Sequence, residues 1–404
     1  MAIRSRKIWT LATTAAMVAA LAACGSDDSN PSAGSGDVPD EILIGGIHPR
    51  TGPSSYYGLP MDQGVELAIK EINDAGGISV GDKSVKLRYA TEDDKSDASA
   101  GVAALKKLTT DGADFIIGPL GGAVVQALKP IIESSDTLLL IDGAADPTKG
   151  LLDPPGMFRW PPSYASMDES LTTTVEDLGF DSVAILNDQA NPSFANSVEG
   201  VADSMEEAGV KVVGTETFST GDSDFRAQLT GLLAGDAPDA ITVRGYALDA
   251  TLATAQAREL GYKGQLIWEV LAPPATVSAN APAEALEGVI DVIYATPDFL
   301  VKQGDEKAIA FTETYTAEFG EAPGSLSAYS YDVVKSLAAA IEDAGSVDPT
   351  EVGKALGELK LADLELVNGY VEQENGRLFD ETGQAENVIV TMTWRDGDWF
   401  PLES

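Results

Sequence analysis

Histidine and cysteine, two residue types common in catalytic and metal sites, are scarce in this sequence. His48 is the one histidine and Cys24 the one cysteine. These counts leave too few residues from which to assemble a Ser-His-Asp triad, a Cys-His pair or a His/Cys metal site. Residues 77–81 match the pattern G-x-S-x-G, but they follow a predicted helix, whereas a nucleophile elbow lies on a strand-to-helix turn. The sequence therefore predicts a turn there, and it predicts no enzyme, no cofactor and no metal site.

Two arginines stand at positions suited to binding an anion. Arg50 follows the first predicted strand and Arg244 ends a later one. A guanidinium group can hold a carboxylate through two parallel hydrogen bonds. Gly121 and Gly122 begin a predicted helix, where unpaired backbone amides also suit a carboxylate. These positions predict an anionic ligand. The alternatives are that each arginine pairs with a carboxylate of the chain and that the glycines only form a tight turn.

Acidic residues dominate the charge of the chain. The sequence has 64 Asp and Glu against 26 Lys and Arg, a formal net charge of −38. Such a surface repels phosphate backbones, so no nucleic-acid partner is predicted. Apolar residues make up 44% of the 404 residues, enough for two domains with substantial cores.

The amino terminus has the features of a targeting segment. Basic residues near the start, an apolar stretch over 8–20 and small residues before Cys24 are typical of a bacterial lipoprotein signal peptide at 1–23. We expect Cys24 to carry the lipid; the alternative is an ordinary secretory signal. Residues 24–40 are rich in Gly, Ser, Asp and Pro and predict a flexible tether. The sequence thus predicts a protein on the extracellular face of the cell membrane, held there by lipid.

Strand and helix patterns alternate along the rest of the chain. Short apolar runs, as at 42–47, 138–141 and 183–186, predict buried parallel strands. Apolar residues at helical spacing from Val65 to Ile72 predict a helix after the first strand. Two successive βαβ series predict an α/β fold with two doubly wound parallel-sheet lobes. Ligands of such sheets bind at the carboxyl ends of the strands.

Several segments, in this order, resemble the leucine/isoleucine/valine-binding proteins, which are type I solute-binding receptors of ABC transporters. The segments that carry the resemblance are residues 44–58 (IGGIHPRTGPSSYYG), 64–77 (GVELAIKEINDAGG), 117–120 (IGPL), Phe158-Arg159 and Gly245-Tyr246. The resemblance implies a Venus-flytrap fold whose lobes are joined by three crossovers. Lobe 1 would combine 41–162 with 295–368, and lobe 2 would combine 163–294 with 369–404. The ligand would bind between the lobes, which close by a hinge motion.

The resemblance also implies aromatic residues in the cleft. Tyr57 and Tyr246 match two tyrosines of the family, and Phe194 falls on a further aromatic position. Trp160 and Tyr164 would face the same crevice, although core packing is an alternative for Trp160. Aromatic walls can hold an aliphatic chain or stack on a ring.

Other family positions differ in this sequence. Gly122 stands where the family has a hydroxyl residue, and Gly143 to Ala145 form a turn without the family's threonine. The acidic residue that would hold a ligand ammonium falls on Val270, one place from Glu269. The predicted ligand-binding residues are Arg50, Tyr57, Gly121, Gly122, Gly143, Ala145, Trp160, Tyr164, Phe194, Arg244, Tyr246 and Glu269.

From these features we expect a monomeric substrate-binding lipoprotein of an ABC importer. It would capture a small carboxylate-bearing solute, either a branched-chain or related amino acid or an aromatic or organic acid. Its predicted partners are that solute and an ABC permease in the membrane. Two alternatives stay open: a ligand-sensing receptor that takes part in signalling, and a receptor for amide or urea-type solutes.

Overall fold

The computed structural model describes residues 38–402, apart from positions 53, 153, 154, 271 and 273. The predicted signal peptide, Cys24 and the tether up to residue 37 lie outside the described residues. In the described part of the chain, no helix is both long enough and apolar enough to span a membrane.

The first part of the described chain forms a six-stranded sheet. Its strands are β1 (Glu41–His48), β2 (Ile78–Val80), β3 (Lys83–Asp93), β4 (Phe115–Ile117), β5 (Leu138–Ile141) and β6 (Met157–Arg159). The helices between them are α1 (Ser55–Asp74), α2 (Ala98–Thr110) and α3 (Gly122–Ile132). The strand order is β2-β3-β1-β4-β5-β6, parallel except where β2 meets β3. Strands β4 and β5 are buried along their whole length, which explains their unbroken apolar sequences.

The prediction of a turn at residues 77–81 is wrong in part. Residues 78–80 form strand β2, which pairs with β3 in an antiparallel hairpin, while Gly77 with φ +100° and Gly81 with φ +60° turn the chain on either side of it. The amide of Ser79 donates a hydrogen bond to Glu342 Oε1 at 3.0 Å. The G-x-S-x-G pattern therefore lies on an edge hairpin and not on a strand-to-helix turn.

The second part forms a seven-stranded sheet and a short ribbon. Its strands are β7 (Ser182–Asp188), β8 (Lys211–Phe218), β9 (Ala240–Arg244), β10 (Gln265–Trp268), β11 (Ile290–Tyr294), β12 (Tyr370–Val371), β13 (Glu386–Asn387), β14 (Ile389–Arg395) and β15 (Asp398–Pro401). The sheet order is β15-β14-β11-β10-β9-β7-β8, and β12 pairs with β13 in the ribbon.

Helices cover both sheets. Those between β6 and β11 are α4 (Tyr164–Asp177), α5 (Pro192–Ala195), α6 (Val198–Glu207), α7 (Arg226–Leu232), α8 (Ala247–Glu259), α9 (Pro274–Asn280) and α10 (Ala283–Leu286). Those after β11 are α11 (Pro297–Lys302), α12 (Glu306–Phe319), α13 (Ser327–Ala344) and α14 (Pro349–Glu358), followed by two 3₁₀ turns, Leu361–Asp363 and Glu374–Gly376. We call the six-stranded sheet with α1–α3 and α11–α14 the first lobe, and the seven-stranded sheet with α4–α10 the second lobe.

The predicted α/β fold with two mainly parallel, doubly wound sheets is confirmed. The antiparallel strands β14 and β15 were not predicted; they extend the second sheet beyond β11. The lobe boundaries given above for the sequence stay a prediction.

After β11 the chain returns to the first lobe and packs tightly there. Helix α13 lies against α1, and a Cβ added at Gly64 would stand 2.1 Å from the carbonyl oxygen of Ser327. Only glycine allows this approach of the two backbones. The close packing fixes α13 to the first lobe, although α13 follows a strand of the second.

Buried hydrogen bonds connect the segments that cross between the lobes. Asp332 on α13 accepts the amides of Val367 and Asn368 at 2.8 and 3.0 Å. The Tyr329 hydroxyl donates to Asn387 Oδ1 at 2.7 Å, and Asn387 Nδ2 donates to the Trp160 carbonyl at 2.8 Å. The backbone near residues 160, 367 and 387 is therefore held in one hydrogen-bonded region, as a hinge requires.

A buried charge cluster centred on His48 joins β1, α1 and the loop after β5. His48 is fully buried, and its Nδ1 and Nε2 donate to Asp62 Oδ1 at 2.8 Å and Asp142 Oδ2 at 3.0 Å. Burial alone would lower the pKa of His48, but the two carboxylates outweigh it and raise this pKa to about 10. The imidazole is therefore charged at neutral pH and cross-links three segments of the first lobe.

The stabilisation by His48 should depend on pH. Because its pKa is raised in the folded state from 6.5 to about 10, the contribution is fully present below about pH 6.5 and is lost as pH rises through 10. We expect His48→Gln to lower the free energy of unfolding by about 3–5 kcal/mol at pH 6, since two buried carboxylates lose their cation. Urea denaturation from pH 6 to pH 10 measures the difference from wild type, which should shrink as pH rises.

The matched control is Lys70→Gln, which removes an exposed cation paired with Asp74 and Glu318. This change should leave the stability nearly unaltered at every pH. A His48→Gln variant as stable as wild type at pH 6 would contradict the charged cross-link.

Candidate functional site

A cavity lies between the two lobes, at the carboxyl ends of strands from both sheets. Its volume is about 50 Å³. The first lobe and the adjoining crossover contribute Tyr57, Leu120, Gly143, Ala145, Pro161 and Leu326. The second lobe contributes the aromatic residues Tyr164, Tyr246 and Tyr294, the apolar residues Met167, Val270 and Ile293, and Asn191, Ser193 and Gly245. Among the described residues that line the cavity, none is Asp, Glu, Lys, Arg or His.

Four helices begin at the wall of this cavity. Helix α4 starts at the lining residue Tyr164, α8 directly after Tyr246, α13 directly after Leu326, and α3 two residues after Leu120. The amino terminus of a helix carries the positive end of its dipole. The first amides of α4, α13 and α8 are already paired, with the Ala145 and Gly324 carbonyls and the Tyr57 hydroxyl, which leaves the other amides of these first turns for a ligand. Since two of these helices belong to each lobe, the cavity is surrounded by partial positive charge although its described lining side chains are uncharged.

Aromatic side chains from both lobes meet at the cavity. The rings of Tyr57 and Tyr246 lie 5.7 Å apart across the lobes, and Phe194 packs behind them, 4.5 Å from Tyr164 and 6.2 Å from Tyr246. Such rings form a wall of low polarity that suits an apolar or aromatic ligand body. Trp160 instead lies in the core, where its Nε1 donates to Ser336 Oγ at 3.1 Å.

The tyrosine hydroxyls at the cavity differ in their hydrogen bonding. The Tyr57 hydroxyl accepts the amide of Ala247 from the other lobe. The Tyr246 hydroxyl accepts from Asn191 Nδ2 at 3.0 Å, and burial raises the pKa of Tyr246 to about 12. The Tyr294 hydroxyl is buried and has no hydrogen-bond partner among the described residues. These hydroxyls remain protonated at neutral pH and can donate to a ligand.

Arg244 lies behind the lining in a second buried charge cluster. Its side chain is fully buried and donates to Glu269, Asp168 and Ser197, all on the second lobe. Its Cζ also stands 5.9 Å from the ring centre of Tyr164. Burial raises the pKa of Asp168 to about 8, although Arg244 lowers it in part. The guanidinium is thus paired with carboxylates within one lobe, and a ligand contact for Arg244 stays a prediction.

Arg50, Gly121 and Gly122 do not line the cavity. The Arg50 side chain is 48% exposed, and its Nε stands 3.6 Å from Asp62 Oδ2. Gly121 precedes the first residue of α3, and a Cβ added at Gly122 would stand 3.1 Å from Ser193 Oγ of the second lobe. Gly122 therefore allows the lobes to approach each other closely.

The structure thus places five of the twelve predicted site residues at the cavity wall: Tyr57, Gly143, Ala145, Tyr164 and Tyr246. The other seven do not line the cavity: Arg50, Gly121, Gly122, Trp160, Phe194, Arg244 and Glu269. The sequence reasoning missed Asn191, Ser193 and Tyr294. Asn191 and Ser193 follow β7 and Tyr294 ends β11. The rule that ligands bind at strand carboxyl ends would have indicated all three.

Polar contacts also join the lobes beside the cavity. Asn196 of the second lobe donates to Thr148 Oγ1 at 3.0 Å and to Asp146 Oδ1 at 3.3 Å. Gln126 on α3 donates to the other oxygen of Asp146 at 2.6 Å. The two lobes are therefore in direct contact, and a solute can enter only if these bonds break.

Comparisons with known proteins give a consistent result. A model of the periplasmic binding protein family matches residues 41–398. The Leu/Ile/Val-binding protein homolog 1 of Brucella abortus is 29% identical over 329 residues, which is 79% of this chain and 82% of that protein. A leucine-, isoleucine-, valine-, threonine- and alanine-binding protein of Pseudomonas aeruginosa is 27% identical over 360 residues, 87% of this chain and 89% of that protein.

Solved structures share the fold at lower identity. A leucine-binding protein of Thermotoga maritima has a TM-score of 0.77 at 23% identity and covers 90% of this chain and 98% of its own. A solute-binding protein of an ABC transporter from R. palustris, in complex with benzoate, has a TM-score of 0.73 at 16% identity, with 90% and 95% covered. Both similarities support the two-lobed architecture described above.

Substitution of Arg244 tests whether the buried charge cluster supports the fold. Arg244→Met should lower the free energy of unfolding by about 3–5 kcal/mol, because Asp168 and Glu269 would remain buried without their cation. Urea denaturation at pH 7 measures this loss. Arg226→Met is the control, since Arg226 pairs with Asp224 and Glu259 at the surface, and it should have little effect. An Arg244→Met protein of unaltered stability would show that the buried cluster does not support the fold.

Proposed function

Because the chain belongs to the periplasmic binding protein family, we propose that it captures a small carboxylate-bearing solute between its lobes and delivers it to an ABC permease. The resemblance predicted from the sequence is confirmed by the family match over residues 41–398. The proposed solute is a branched-chain or related amino acid, or an aromatic or organic acid. Relatives named for branched-chain amino acids and a structural neighbour bound to benzoate support these classes.

The proposal that the ligand bears a carboxylate rests on the arrangement of the helices around the cavity. The amino-terminal ends of α3, α4, α8 and α13 meet around a cavity whose described lining side chains are uncharged. A carboxylate there can accept hydrogen bonds from the amides of these first turns that have no other partner, and it gains from four helix dipoles. The aromatic and apolar side chains around it suit a hydrocarbon body. An anionic head with an apolar tail matches both features.

The cavity suits the ammonium group of an amino acid less well than it suits a carboxylate. The described lining residues include no carboxylate, and both acidic residues nearest to Arg244 are engaged with it. An acid without an ammonium group would need no counter-charge. We therefore expect an organic acid to bind at least as tightly as the amino acid with the same hydrocarbon body.

The size of the cavity bears on how the ligand enters. A volume of about 50 Å³ accommodates about four water-sized groups. A solute the size of leucine or benzoate therefore requires the lobes to separate slightly. The hydrogen bonds of Asn196 to the first lobe, and that of the Ala247 amide to the Tyr57 hydroxyl, are among the contacts that must break. Hinge motion between two lobes is the usual means of such opening.

Membrane attachment and transport belong to the same proposal. The lipoprotein signal in the sequence supports a lipid anchor at Cys24, an extracellular location and a monomeric receptor beside its permease. A second candidate is the binding of a neutral amide or urea-type solute, which the uncharged lining favours. A sensing role that uses the same cavity would leave the ligand chemistry unchanged.

Matched ligands test the proposed chemistry. Thermal melting of the purified protein is measured with L-leucine, 4-methylpentanoate and 4-methylpentanamide, which share one hydrocarbon body, and with benzoate and benzamide. We expect at least one acid to raise the melting temperature, since a ligand at about 100 times its Kd stabilises by about 2.7 kcal/mol. The corresponding amide should have little effect. A response to amides and to none of the acids would contradict the carboxylate proposal and favour the second candidate.

A further inference from the structure

Tyr294 occupies a particular position at the cavity. It ends strand β11, where the chain leaves the second lobe, and it pairs with Ile389 of β14. Its side chain lines the cavity although the residue is only 4% exposed. The ring packs at 4.9 Å against Tyr329 of α13, which belongs to the first lobe. Tyr294 thus stands where both lobes and the hinge region meet.

The hydroxyl of Tyr294 has no hydrogen-bond partner among the described residues, unlike those of Tyr57, Tyr246 and Tyr329. Tyr57 and Tyr246 are bonded to Ala247 and Asn191, and Tyr329 donates to Asn387 at 2.7 Å. A buried hydroxyl without a partner is costly, and native structures rarely keep one without a reason. A group that binds in the cavity can supply the missing bond.

The chemistry of the hydroxyl indicates which group this is. Burial raises the pKa of Tyr294 well above its ordinary value, so the hydroxyl stays protonated and can donate. The Tyr57 and Tyr246 hydroxyls each accept a bond from the protein, whereas the Tyr294 hydroxyl has neither a donor nor an acceptor among the described residues. Oxygen atoms of a carboxylate, carbonyl or hydroxyl group accept such a bond.

We propose that Tyr294 is a ligand-binding residue whose hydroxyl donates a hydrogen bond to an oxygen of the captured solute. This inference rests on the proposed function, because it assumes that the solute enters the interlobe cavity. It adds a contact from the hinge side of the cavity to the helix amino termini. A solute that lacks an oxygen at this point leaves the hydroxyl unpaired and binds more weakly.

The test compares two substitutions that each remove one hydroxyl. Tyr294→Phe removes the unpaired hydroxyl, and Tyr262→Phe removes a hydroxyl that donates to the Pro238 carbonyl at the amino-terminal ends of β9 and β10, away from the cavity. Melting temperatures are measured without ligand, and dissociation constants are measured calorimetrically with L-leucine, 4-methylpentanoate and benzoate as probes. The ring of each tyrosine is kept, so changes in packing are minimal.

We expect the two variants to behave in opposite ways. Tyr294→Phe should melt at the wild-type temperature or slightly above it, because no protein hydrogen bond is lost. Its dissociation constant for a bound probe should rise by about 10- to 100-fold, as for a lost hydrogen bond to a charged group. Tyr262→Phe should melt at a lower temperature, because the Pro238 carbonyl loses its donor, and should bind the probe within about twofold of wild type.

Each other result has a definite meaning. If wild type binds the probes and Tyr294→Phe binds them equally well, the inference about Tyr294 is wrong while the proposed function stands. A clear fall in the melting temperature of ligand-free Tyr294→Phe shows a structural role and also overturns the inference. If wild type binds none of the probes, the proposed acid-binding function fails, and the assignment of Tyr294 fails with it.

Discussion

Parallel strands in a sheet end at one common edge, and helices that follow them begin at that edge. In this protein the carboxyl edges of two sheets face each other, so helix amino termini from both lobes meet at one cavity. The helix dipoles then supply positive potential where the described lining side chains supply none. The polarity of the cavity follows from the direction of the chain and does not require a charged residue in the wall.

Formal charges are kept behind this wall, within each lobe. His48 is enclosed by Asp62 and Asp142 in the first lobe, and Arg244 by Asp168 and Glu269 in the second. Each cluster joins segments that are distant in sequence, and a buried charge without its partner would be strongly destabilising. The clusters therefore make the lobes rigid, while weaker contacts such as those of Asn196 hold the lobes together. Rigid lobes with weak contacts between them are what hinge closure requires.

The sequence predicts the architecture well because buried parallel strands have a simple pattern. Apolar runs such as 138–141 are buried along their length, and helical spacing places α1 correctly. Side-chain partners are harder to predict. The position of Arg244 at a strand end is clear from the sequence, but Asp168 lies 76 residues away from it and Glu269 lies 25 away. Whether an arginine faces a ligand or a carboxylate depends on such distant packing. Tyr294 was missed because the strand before it was not recognised.

The central claim is that a negatively charged solute occupies a cavity whose positive potential comes from helix amino termini. The most direct measurement identifies, by mass spectrometry, the small molecule released when freshly purified protein is denatured. The account predicts a carboxylic acid with an apolar or aromatic body, present in near-stoichiometric amount. Release of a neutral amide or of a cationic metabolite in that amount would contradict it.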